Sequence, residues 1–139
     1  MAVVNLSGKW RSEKVENMDE FLKAAGVGIV IRKLMWMFTP EMEIVQDGDD
    51  FVITTKMPMI TDKVEFKVGV EFTHKLPPDF KDDHTLISTW DQDKLVTKVL
   101  SQEDGVVTTR SLVGEKLVMT QTKGDVTATR TFYNTEKKD

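Results

Sequence analysis

The period of the apolar residues changes at Pro40, and that change constrains the fold more than any other feature of the chain. Beyond it the side chains alternate in short runs: "MEIVQ", "FVITTKM", "KVEFKV", "VEFTH", "TLISTW", "KLVTKVL", "VVTTRSLV", "KLVMTQT" and "VTATRTF". Polar or glycine turns separate them, among them "DGDD", Gly69, "DQD", "QEDG", "GE" and "KGD". Period-two runs with such turns at near-regular spacing predict an antiparallel up-and-down sheet. A sheet of this length curls and closes, which removes its edges. The early "VNLSGKW" supplies one more strand.

Between that strand and Pro40 the pattern is helical. In "NMDEFLKAAGVGIVIRKLMWMF" Asn17 can cap, and Asp19 and Glu20 occupy the first turn, where the helix dipole favours acids. Phe21, Leu22 and Ala25 form a short apolar stripe that "GVG" interrupts, as a C-cap and tight turn would. A second helix is predicted from about Val27 to Met35, with Trp36 packing at the base of the lid. There is no internal repeat or linker, so residues 1–139 form one domain: a β-barrel with a helical hairpin attached.

At 139 residues with 40% apolar side chains, the chain can bury a real core. A net charge of -4 and a pI near 5.2 argue against nucleic acid or an anionic membrane as the main partner. The absence of cysteine removes disulfides, thiolate metal sites and a cysteine nucleophile. The opening "MAVVNLSGKW" has no basic segment followed by a long apolar run, so a cytoplasmic location is expected.

The candidate chemistry lies in the last three strands. In "VTATRTF" the residues Val126, Ala128, Arg130 and Phe132 share one face, apolar apart from a permanent cation. In "VVTTRSLV" Thr108 and Arg110 share a face, and in "KLVMTQT" Leu117, Met119 and Gln121 do. A lone strand arginine more often snorkels at the surface. Two on nearby strands, one on an apolar face, predict a cavity with an anion clamp. Guanidiniums buried without partners are costly, and a ligand carboxylate can take their forked hydrogen bonds. No interior acid is evident on these three strands, because Glu103, Asp104, Glu115 and Asp125 fall in or beside turns.

Several of these stretches together resemble the intracellular lipid-binding proteins, the family of fatty-acid-binding and cellular retinoid-binding proteins. "GKW", "NMDEFLKAAGV", "IRKL", "TPEMEI", "VEFKVGVEF" and "TATRTF" match that family's segments in order, over nearly the whole chain. The resemblance implies an all-β, ten-stranded up-and-down antiparallel β-barrel (β-clam) closed by a short helix-turn-helix lid. It implies a cavity for a long-chain fatty acid or related hydrophobic carboxylate, with Arg110 and Arg130 as the two internal arginines. Retention of both points to an acid ligand. Phe132 stands where a tyrosine is usual, which shifts the direct contact towards Arg110, with Arg130 and Gln121 supporting. Thr108, Met119, Thr55, Met57 and Met42 complete the expected ligand-binding set. Met59 stands where many members carry a gating phenylalanine, and Val27, Met35, Leu22 and Met18 are expected beside it at a portal.

The expected function is that of a non-catalytic carrier, monomeric, without a cofactor, and making at most transient membrane contact. A retinoic-acid-binding protein is the nearest alternative. A membrane-associating structural protein of the myelin type is another, against which the acidic balance weighs. No nucleophile elbow, phosphate loop or dinucleotide fingerprint supports catalysis. His74 and His84 lie at opposite ends of "THKLPPDFKDDH" and are expected at the surface, without the tight spacing of a metal pair.

Overall fold

A computed structural model describes residues 4–57, 60–76 and 80–136. Ten strands and two short helices follow in the order β1 (Gly8–Glu16), α1 (Met18–Ala24), α2 (Ile29–Trp36), β2 (Glu41–Asp47), β3 (Asp50–Met57), β4 (Ile60–Lys67), β5 (Phe72–Lys75), β6 (Asp83–Asp91), β7 (Lys94–Val99), β8 (Val107–Val113), β9 (Lys116–Lys123) and β10 (Val126–Asn134). The hydrogen-bonded order is β4-β3-β2-β1-β10-β9-β8-β7-β6-β5. Sequence neighbours pair antiparallel, and β1 and β10 join the two halves. The expected up-and-down barrel is present, with one qualification. β4 and β5 end the order and share no ladder among the described residues, so the barrel is nearly closed and has one seam.

Alternation seals the interior at one level. Leu6, Trp10, Ile44, Phe51, Ile53, Leu95, Leu117 and Phe132 are buried in a continuous cluster. Within it Phe66 stacks between Phe51 and Phe72, with centroids 5.2 and 5.1 Å apart. Phe66 belongs to β4 and Phe72 to β5, so the stack carries apolar packing across the seam where backbone pairing stops. The connection between these strands turns at Gly69, whose φ of +85° suits glycine, and its N–H donates to the Ser88 carbonyl at 2.8 Å.

The helices differ from the expectation in two details. Asn17 adopts a left-handed conformation (φ 60°), and its side chain makes no capping bond. Its Nδ2 instead donates to the Thr127 carbonyl at 3.0 Å, which ties the start of α1 to β10. Trp36 does not pack beneath the lid; it is 70% exposed at the end of α2. α2 is too short to turn an apolar face fully onto the barrel, and none of its residues is buried. What fixes it is Arg32, which donates from Nε to Asp19 at 3.0 Å and from Nη1 to the Val27 carbonyl at 2.7 Å. Burial works against the Asp19 carboxylate, yet the Arg32 hydrogen bond and charge, with Lys23 and Trp36, hold its pKa below the usual range. Replacing Arg32 by Ala is expected to speed amide exchange throughout α2 by about tenfold, with β9 and β10 unchanged.

Candidate functional site

The register places the two arginines around a common neighbour. Arg110 on β8 stands opposite Met119 on β9, and Arg130 on β10 stands opposite the same Met119. Thr108 and Ala128 both stand opposite Gln121. Opposed residues share a face, and Leu95, Leu117, Ala128 and Phe132 on that face are buried. Arg110, Arg130, Met119, Gln121 and Thr108 therefore point inward. Yet each keeps some accessible surface, whereas the inward residues of the sealed level keep almost none.

The two cations differ. Arg130 donates from Nη1 to the Ser12 hydroxyl at 2.8 Å, and desolvation pulls its pKa down. Arg110 lies deeper: its Nε is shielded from solvent and has no hydrogen-bond partner. Burial pushes its pKa down to about 10, partly offset by the charge of Asp62. An orphaned buried donor on a cation is the costliest kind to leave unmade.

β1 contributes a third device. An unbroken register from the Ser12–Phe132 pair would set Lys14 opposite Arg130. The irregularity between Ser12 and Lys14 sets Val15 there instead. The displaced Glu13 pairs with Lys116, and Lys14 pairs with Glu16 at 3.0 Å on the exposed face. A β-bulge thus keeps a third cation away from the arginines.

The other expected residues distribute differently. Thr55 and Met57 lie on the inward face of β3, with Thr55 opposite Asp62. Met42 and Phe132 are 3% and 1% exposed and belong to the sealed cluster. Leu22 and Val27 are buried with Phe21 and Ala128, and Met18 and Met35 pack against them, so these four close the helical hairpin onto β10. Met59 lies outside the described residues.

Sequence reasoning missed three polar residues and misplaced one of them. Ser12 is Arg130's partner. Asp62 shares the inward face of β4 with Val64 and Phe66, and so supplies the interior acid. His74 is not a surface residue: its Nε2 lies 2.7 Å from the Asp62 carboxylate, with both side chains under a quarter exposed. Nor are the histidines far apart, for His74 stands directly opposite His84 in the β5–β6 ladder. Among the described residues no cluster of His, Asp or Glu could hold a metal ion.

A small up-and-down barrel with a few polar groups converging on an apolar interior defines a small-molecule-binding barrel. The chain belongs to the lipocalin / cytosolic fatty-acid binding protein family, whose model matches residues 7–135. It is 35% identical over 134 residues to human cellular retinoic acid-binding protein 1, covering 92% of this chain and 96% of that one. It is 34% identical over 131 residues to a fatty acid-binding protein of Tyrophagus putrescentiae, covering 94% and 98%. Among solved structures, the REP1-NXSQ fatty acid transporter superposes with a TM-score of 0.86 at 28% identity, over 96% of this chain and 98% of that one. Human cRBP IV superposes with a TM-score of 0.85 at 26% identity, over 94% and 98%. No helix among the described residues is long and apolar enough to cross a membrane.

Proposed function

We propose that the chain is a non-catalytic carrier that encloses one long-chain fatty acid and holds its carboxylate at Arg110. The observation that carries this reading is the orphaned Nε of Arg110 on the inward face that Arg130 and Gln121 share. A carboxylate supplies both the missing acceptor and the missing counter-charge. Arg130 already has the Ser12 hydroxyl as a partner, so it acts as the supporting cation, with Gln121 as a further donor. The hydrocarbon tail contributes about 0.8 kcal/mol per buried methylene. In this reading the tail supplies most of the affinity and the head group the selectivity for acids.

Retinoic acid is the second reading, favoured by the similarity to a cellular retinoic acid-binding protein. Displacement of a fluorescent fatty acid by oleate, all-trans retinoic acid and methyl oleate separates the cases. Oleate is expected to displace the probe at least tenfold more effectively than its ester, because the ester keeps the tail and loses the charged head. Stronger displacement by retinoic acid than by oleate moves the assignment to the retinoid. Failure of both acids sinks the carrier reading. Native mass spectrometry of the purified protein then gives ligand class and number together.

A further inference from the structure

Among the described residues the ladder order is interrupted at the seam between β4 and β5. Two side-chain bridges cross it. Near the Gly69 turn, Phe66 stacks on Phe72. Farther from that turn, Asp62 on β4 meets His74 on β5 at 2.7 Å. The first bridge is apolar and sits against the sealed core. The second is polar, inward-facing and partly reached by solvent.

Around that second bridge the charges are arranged in sequence. Asp62 meets His74 across the seam, and its charge also acts on Arg110. His84 stands opposite His74 on β6, with its Nδ1 at 3.2 Å from the Ser101 hydroxyl. On the outer side of the same strand pair, Lys75 pairs with Asp83 at 2.9 Å. That outer pair joins β5 to β6, strands already laddered together, and does nothing for the seam. Only the Asp62–His74 contact among the described polar pairs joins the two unpaired edges.

We propose that the Asp62–His74 contact is a clasp on this seam: while it holds, β4 and β5 stay together, and when it breaks they part and open a way between the interior and the outside. The passage half of this inference rests on the carrier reading above; the clasp half does not. A charge-assisted hydrogen bond is stronger than a neutral one. One such bond suits a closure that must open repeatedly, where a full ladder would not.

Amide hydrogen exchange of the ligand-free protein tests the clasp by itself. Asp62→Ala and His74→Ala are each expected to speed exchange in β4 and β5 by about tenfold, with β9 and β10 unchanged. The exchanged pair, Asp62→His with His74→Asp, rebuilds the contact in reverse and is expected to restore slow exchange. Stopped-flow release of a bound fluorescent fatty acid tests the passage. His74→Ala, which keeps the Asp62 charge near Arg110, is expected to release it about tenfold faster. The exchanged pair guards against a general folding defect, since a damaged barrel would not recover. Unchanged exchange in the single variants, or no recovery in the exchanged pair, overturns the clasp. Faster exchange with unchanged release overturns the passage. If the probe does not bind the wild-type protein, the carrier reading fails while the exchange measurement still decides the clasp.

Discussion

Arg110→Gln is expected to weaken oleate binding about 100-fold and, at the same time, to make the ligand-free protein more stable. Both effects have one cause. The guanidinium is largely desolvated, and nothing accepts from its shielded Nε. The fall of its pKa to about 10 reflects a native-state cost on the order of a few kcal/mol. A neutral amide removes the charge and most of that cost, so thermal unfolding without ligand should shift upward by about 5 °C or more. Saturating fatty acid should reverse the ranking, because only the wild type gains a strong ligand.

The pH dependence has a definite sign. The native guanidinium is the weaker base, so in the range above about pH 10 the unfolded chain binds more protons than the native one. The cost is present in full below that window and fades as pH rises through it. Wild type should therefore gain on Arg110→Gln across that range, as measured by denaturant unfolding of the two side by side. Arg130→Gln, which loses a cation already partnered by Ser12, should weaken oleate by about tenfold only. Wild-type affinity in Arg110→Gln would remove Arg110 from the head-group site.

The largest loss of stability is expected from Phe66→Ala. Truncating a buried phenylalanine costs about 3–5 kcal/mol, and this one also carries two stacking contacts. Thermal unfolding should fall by about 10 °C or more. The damage should be uneven. Phe66 bridges the seam, so exchange in β5 should rise further than in β3, which stays laddered to β2. Phe51→Ala should cost a similar amount globally without that bias, since the ladders of β3 on β2 and β4 remain. Equal exchange in β5 for the two variants would remove the special role assigned to Phe66.

Local pattern made the strands legible, because alternation is written within each run. For Arg130 the neighbours Ala128 and Phe132 declare a face, whereas "VVTTRSLV" is apolar or polar on both faces and Arg110 takes its side from the register with Leu95 and Met119. What escaped notice depends on pairing between distant parts of the chain. Asp62 alternates with Val64 and Phe66, yet an acid among "ITDKVEFK" is ordinarily read as surface. Its partner His74 lies twelve residues on, across strands that are not hydrogen-bonded to each other. The β1 bulge has no signature in "GKWRSEKVE", and it appears only against β10. Asn17 carries the composition of a cap but spends its amide on Thr127, 110 positions away. Trp36, expected to pack at the base of the helical hairpin, is exposed because the short α2 buries none of its residues.

The seam also sets what the protein risks whenever it parts. Two strand edges would then present unpaired N–H and C=O groups, the template on which chains add to one another and aggregate. Charged side chains along such an edge discourage that addition. β4 turns Lys63, Glu65 and Lys67 outward, and β5 ends in Lys75. The sheet is left incomplete at edges that carry charge, and such charges disfavour the addition of a mismatched strand.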